Sequence, residues 1–181
     1  MARPSSKSAL GARALLLMCV PLGASSAWSA EGPRGHSTSA KPLHAAGIAV
    51  PVVDALVGKV ESAADAGPGQ WLAQVTLSSS GVEAVRVEVY ANPRASSAAD
   101  WVAVAWKDLA RSVPMRPVGI GLPRWKALRG DVPASPQSHA RSVAFVAAGP
   151  RLLHVACILP DAVARARCDA VLAGLANAGA P

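Results

Sequence analysis

The chain has 181 residues, of which 51% are hydrophobic and 16% charged, and its formal net charge is +7. This length and apolar content suit one domain of ordinary size with a packed core. They exclude an intrinsically disordered protein, which has too few apolar residues to form a core.

The amino end predicts export. The first 13 residues carry three basic and no acidic side chains, residues 14–20 are mainly apolar, and small residues follow. These are the three parts of a secretory signal peptide. The apolar run is shorter than the roughly 20 residues that cross a bilayer. Ser25 and Ala27 place small side chains at positions −3 and −1, so we expect cleavage after Ala27 and a periplasmic or secreted product without a transmembrane segment.

The predicted organisation is a signal peptide at residues 1–27, a flexible leader at 28–47 and one domain at 48–181. The leader mixes Gly, Pro, Ser and His without periodicity. Cleavage removes three of the 18 basic residues, which leaves 15 against 11 acidic residues, or a net charge of +4. The abundance of Ala and Arg is typical of a GC-rich bacterial genome.

The first half of the domain predicts a helix, a hairpin and a second helix. Apolar residues recur every three or four positions over residues 51–66, which is typical of a helix. Residues 70–77 and 82–90 alternate apolar and polar side chains around a Ser- and Gly-containing turn, which predicts a β-hairpin. Ser97 and Asp100 resemble a capping box and predict a helix that runs to residue 112.

The second half predicts a long loop, a hairpin and a last helix. Residues 113–140 contain five prolines and three glycines, so we expect a loop with at most a short edge strand at 118–121. Residues 142–148 and 151–159 are apolar on both faces and predict a central hairpin. A helix is expected over residues 161–178.

These elements predict an α+β fold. Antiparallel strands with interspersed helices favour a two-layer sandwich, with an antiparallel sheet of about four to five strands and helices packed mainly on one face. Cys157 and Cys168 form an even pair in an oxidising compartment, so we expect them to form a disulfide that joins the last helix to a central strand. Their spacing is not Cys-x-x-Cys, and no zinc ligand pattern accompanies them, so we expect neither a metal nor a cofactor.

The candidate binding segment is basic. Five cations and one aromatic residue lie between positions 111 and 129 with no acidic residue among them: Arg111, Arg116, Arg124, Trp125, Lys126 and Arg129. Arginine and tryptophan in an exposed loop are typical of binding hot spots, and cations favour anionic partners. The alternative is a solvated loop whose Trp125 packs into the core.

No catalytic, nucleotide-binding or metal-binding motif occurs. His154, on a predicted central strand, is the titratable residue that a catalytic site would most readily use. The sequence therefore favours a non-catalytic envelope module that binds a partner protein or an anionic surface, and not a nucleic acid. The alternatives are a small periplasmic hydrolase, in which a histidine would meet an acid and a serine, and a small-ligand carrier with an apolar cavity between helices and sheet.

Overall fold

The computed structural model describes residues 41–64 and 70–178, so the predicted signal peptide and most of the predicted leader lie outside the described residues. Strands dominate. They are β1 (Leu43–Ala45), β2 (Ile48–Val50), β3 (Val57–Ser62), β4 (Trp71–Ser79), β5 (Val82–Ala91), β6 (Arg116–Ile120), β7 (Trp125–Val132), β8 (Ala140–Ala148), β9 (Arg151–Leu159) and β10 (Ala176–Asn177). The helices are α1 (Ala98–Ala105), α2 (Lys107–Ser112) and α3 (Ala162–Gly174).

The predicted two-layer α+β sandwich is wrong, because the fold is mostly β. Seven strands form one antiparallel sheet in the order β3-β4-β5-β9-β8-β7-β6, and β1, β2 and β10 form a separate three-stranded sheet. The three helices are short and do not form a layer that covers one face. Two segments that were expected to be helix or loop supply the additional strands of the large sheet.

The predicted helix at residues 51–66 is one of these segments. Ala55 adopts a left-handed φ of 59°, which interrupts a helix. The following residues form β3, which pairs with β4 from Val57 opposite Ser78 to Ser62 opposite Ala73. Valines at helical spacing also suit a strand because β-branched side chains pack well on a pleated surface, and here pairing with the hairpin outweighed the periodicity.

The predicted loop at residues 113–140 is the other. It contains the hairpin β6–β7, and β7 pairs with β8 over six residues. The expected short edge strand at residues 118–121 corresponds to part of β6. Pro117 is compatible with β6 because that strand ends the sheet, where one side of the backbone needs no ladder partner.

The remaining elements are confirmed with adjusted ends. Hairpins β4–β5 and β8–β9 form where alternation predicted them. The helix after Ser97 has the predicted capping box with Asp100, but it is interrupted at Trp106 and continues as α2. The last helix begins after Asp161 and ends at Gly174, earlier than expected. Strand β1 begins within the segment that was predicted as a leader.

Buried side chains form two clusters on opposite faces of the large sheet. Alternate residues of β8 show this: Ala144 and Val146 contribute to a cluster with residues of α3, whereas Val143 and Phe145 contribute to a cluster with Ala98 and Val102 of α1. We call these sides of the sheet the α3 face and the α1 face.

The predicted disulfide is confirmed. Cys157 of β9 and Cys168 of α3 are bonded, with their Cα atoms 5.9 Å apart, and both residues are buried. The bridge holds α3 against a central strand. A loop of this length gains about 2–3 kcal/mol of stability from such a bridge.

Candidate functional site

A groove runs along the α3 face between helix α3, the edge strand β6 and its neighbour β7. It consists of two adjoining depressions, of about 290 and 400 Å³, which share Val118, Arg129 and Asp169. Four arginines and two aspartates line it: Arg116, Arg124, Arg129, Arg165, Asp131 and Asp169. We call it the arginine groove.

Two of these arginines lie directly opposite each other. In the β6–β7 hairpin Arg116 pairs with Arg129, and both line the same depression. Like charges at directly opposed positions of neighbouring strands destabilise a sheet. The register of the hairpin therefore places an unfavourable pair of cations in the wall of the groove.

Arg129 is paired with a carboxylate, whereas Arg116 opposite it is not. Its guanidinium contacts Asp169 Oδ1 of α3 at 2.7 Å, and its Nε donates a hydrogen bond to Ser142 Oγ at 2.8 Å. A second ion pair joins Arg165 of α3 to Asp131 of β7 at 3.3 Å. Both pairs connect α3 to β7 across the groove.

The ionisation of Asp131 reflects this basic surrounding. Burial raises the pKa of its carboxyl group, but the hydrogen bond with Ser142 and the charges of Arg165 and Arg129 outweigh burial, so the pKa lies below its usual value. Each carboxylate of the groove therefore has an arginine partner: Asp131 contacts Arg165, and Asp169 contacts Arg129.

Arg116 and Arg124 contact no carboxylate among the residues that the structure describes, and both are exposed. Arg124 lies over Gly119 of β6: a Cβ atom at Gly119 would come within 2.9 Å of Arg124 Nε. Four arginines against two aspartates leave two formal positive charges in the groove. An anionic group placed there would meet free guanidinium donors, which bind carboxylates and phosphates through paired hydrogen bonds.

The structure brings together three of the six predicted binding residues: Arg116, Arg124 and Arg129. Arg111 lies on α2, where it forms an exposed ion pair with Asp108 at 3.2 Å. Lys126 is exposed on β7, one position from the side chains that face the groove. Trp125 is only 9% exposed and belongs to the core cluster of the α3 face, so it offers no exposed aromatic surface.

Sequence reasoning missed the groove residues that follow position 129. Arg165 and Asp169 are four residues apart on α3, a spacing that places two side chains on one side of a helix. That spacing was visible in the sequence. The positions of β6 and β7 opposite this helix could not be inferred, because residues 113–140 were predicted to form a loop.

His154 lies on the other face of the sheet, in a buried polar network. The residue is 8% exposed, and its Nδ1 lies 2.7 Å from Glu88 Oε2. Tyr90 donates a hydrogen bond to the same oxygen at 3.2 Å. The imidazole packs against the rings of Trp106 and Phe145, with centroid distances of 4.4 and 5.1 Å.

Burial governs the protonation of this network. Removal from water lowers the pKa of His154 despite the opposing effect of the Glu88 carboxylate. Burial, followed by the charge of Glu88, raises the pKa of Tyr90 to about 12. Because a carboxylate oxygen can only accept a hydrogen bond, the neutral imidazole is assigned the tautomer in which Nδ1–H donates a hydrogen bond to Glu88. Its Nε2 is buried without a hydrogen-bond partner among the described residues.

The described residues do not bring a serine to His154. His154 meets an acid, as a catalytic histidine would, but no serine of the described chain contacts Nε2, which would have to accept the proton of a nucleophile. Within residues 41–64 and 70–178, no group of three or more His, Cys, Asp or Glu side chains could hold a metal ion. No helix in these ranges is long and apolar enough to cross a lipid bilayer.

No protein-family model matches the chain, and no curated protein sequence matches it.

Proposed function

We propose that this protein is an exported, non-catalytic binding module that recognises an anionic group on an envelope protein or surface through the arginine groove. The observation that carries the proposal is the register of the β6–β7 hairpin, which opposes Arg116 and Arg129 on one face. Such a pair lowers stability unless something negative lies between its members. Asp169 neutralises Arg129 alone, and an anionic partner would complete the compensation.

The remaining features are consistent with a binding role outside the cytoplasm. The Cys157–Cys168 bridge is of a kind that persists in oxidising compartments such as the periplasm. His154, the expected catalytic candidate, lies on the opposite face from the groove, and its free nitrogen is buried. Export itself follows from the amino-terminal pattern, and amino-terminal sequencing of the exported protein should begin at Trp28.

Titration with inorganic phosphate tests the groove directly. In ¹H–¹⁵N NMR spectra we expect saturable shifts of the amides of Val118, Arg129 and Asp169. The double variant Arg116→Gln with Arg124→Gln should bind at least about tenfold more weakly, because each substitution removes a charged hydrogen-bond donor. Binding should weaken with added salt, since charges on a surface are screened over about 8 Å at physiological ionic strength.

Two controls make the result specific. Lys126→Gln removes one positive charge from β7, outside the groove, and it should leave the phosphate affinity unchanged, whereas the single variant Arg116→Gln, which also removes one charge, should lower it. Vesicles with and without phosphatidylglycerol distinguish a lipid surface from a protein partner. Shifts of equal size with chloride at matched ionic strength, or undiminished binding by the double variant, would contradict the proposal.

A further inference from the structure

Another cavity lies on the α1 face, the side of the sheet opposite the arginine groove. It measures about 340 Å³ and opens between helix α1 and the adjoining strands β5 and β9. Its apolar wall is formed by Tyr90, Trp101 and Leu152, and Arg94 and Ser96 stand at its rim. A concave apolar site with a few polar groups is the usual form of a small-molecule site.

The aromatic wall is built into the core on one side and open on the other. The rings of Tyr90 and Trp101 lie 5.3 Å apart at 59°, and Trp101 also packs edge-on against Phe145 at 5.6 Å. Both Tyr90 and Trp101 are only partly buried. The hydrogen bond from Tyr90 to Glu88 fixes the phenol, so the wall is in place before any ligand arrives.

The rim is equally rigid. Asn92 is buried, and its side chain accepts a hydrogen bond from Ser96 N and donates to the carbonyl oxygens of Ser96 and Gly149. Within the loop that it closes, Ala95 adopts a left-handed φ of 51°. A non-glycine residue in that conformation costs free energy and persists only where the surroundings hold it, which often occurs at functional sites.

This loop presents Arg94 to the cavity. Arg94 is exposed and contacts no carboxylate among the described residues, whereas the polar groups of Asn92 are already used. The cavity thus combines two aromatic faces with one free guanidinium. Aromatic side chains offer apolar area against which the face of a ring can pack, and a guanidinium pairs with a carboxylate through two parallel hydrogen bonds.

We infer that this cavity binds a small molecule in which a ring carries a single carboxylate, with the ring against Trp101 and Tyr90 and the carboxylate on Arg94. One positive charge calls for one negative charge, in contrast to the two charges left in the arginine groove. The volume admits one ring with a short substituent. An aromatic acid and an acidic sugar share this chemistry, and the proposal does not depend on the function assigned to the groove.

The test titrates the full exported chain with two acids and their neutral counterparts. Phenylacetate and glucuronate are the acids, and phenylacetamide and glucose are the controls. ¹H–¹⁵N NMR reports the location through the indole N–H of Trp101 and the amides of residues 94 and 96. We expect saturable shifts at these positions with at least one acid. The affinity for that acid should be at least about tenfold higher than the affinity for its neutral counterpart.

Reciprocal variants separate the two sites. Arg94→Gln should weaken binding of the acid about tenfold and leave phosphate binding at the groove unchanged. Arg116→Gln should weaken phosphate binding and leave binding of the acid unchanged. Because Arg94 is exposed, its replacement should not change the melting temperature, so a loss of binding would not reflect unfolding. The inference is overturned if neither acid shifts Trp101, if the neutral counterparts bind equally well, or if Arg94→Gln binds like the parent protein.

Discussion

The buried position of His154 predicts that the stability of the protein depends on pH. Its side chain has one nitrogen hydrogen-bonded to Glu88 and the other buried without a partner. Protonation would add an N–H at the buried Nε2, which has no hydrogen-bond acceptor among the described residues. Burial therefore lowers the pKa of His154 below the ordinary value of 6.5.

A lowered pKa fixes the sign of the effect on stability. In the unfolded chain His154 takes up a proton as the pH falls through about 6.5, whereas in the folded protein it stays neutral to lower pH. The unfolded state binds more protons over that interval, so the free energy of unfolding should fall as the pH falls from 7 towards 5. One group contributes at most about 1.4 kcal/mol per pH unit.

Urea unfolding at several pH values checks this prediction. The parent protein should lose stability on acidification more steeply than His154→Gln, which keeps an N–H donor for Glu88 but does not titrate. The charged groups nearest to the imidazole, Glu88 and Arg86, are unchanged in the variant. Parallel pH profiles for the two proteins would show that the buried imidazole does not govern this dependence.

At the scale of elements, Trp125 distinguishes a strand from a loop. It begins β7, is buried in the α3-face cluster, and lies against Gly121, where a Cβ atom would come within 2.7 Å of the indole. Gly121 also has a φ of 78°, which suits glycine. The hairpin turn is therefore shaped to admit the tryptophan.

Trp125→Ala should destabilise the protein by about 3–5 kcal/mol, the usual cost of removing a large buried aromatic side chain. Thermal or urea unfolding measures this loss, and Lys126→Ala, at the exposed neighbouring position, provides the matched control. A small change for Trp125→Ala, close to that of Lys126→Ala, would indicate that residues 113–140 form the solvated loop that their composition suggested.

The sequence predicted elements well where one signal dominated. Strict alternation identified β4–β5, and continuous apolar runs identified β8–β9. It failed where two signals competed. The valines of residues 57–60 suit both a helix and a strand, and pairing with β4 decided the outcome. The prolines near β6 indicated a loop, although Pro117 is tolerated at the edge of a sheet.

At the scale of the whole molecule, the distribution of charged residues along the sequence differs from their distribution on the surface of the fold. The segment from Arg111 to Arg129 contains no acidic residue, which suggested one continuous basic surface. In the fold, Asp108 pairs with Arg111, and Asp169 of α3 pairs with Arg129. Within the groove, the cations that contact no carboxylate of the described residues are Arg116 and Arg124. This arrangement could not be predicted from the sequence, because it depends on the position of α3.

The opposed arginines of the groove should lower the stability of the free protein. The claim that the groove binds an anion can therefore be tested through stability. If Arg116 and Arg129 repel each other in the free protein, relieving the repulsion should stabilise the fold even though it removes a binding residue. An anion that binds only the folded protein should stabilise it as well, by an amount that grows with the logarithm of the anion concentration divided by its dissociation constant.

The decisive measurement is urea unfolding of the parent protein and Arg116→Gln at low ionic strength, in chloride and in phosphate buffers of equal ionic strength, with Lys126→Gln as the control. In chloride we predict that Arg116→Gln is more stable than the parent by up to about 1 kcal/mol. Phosphate should raise the stability of the parent and of Lys126→Gln, but raise that of Arg116→Gln much less. A variant that is less stable than the parent in chloride, or that gains as much from phosphate, would contradict the account of the groove as an anion-binding site.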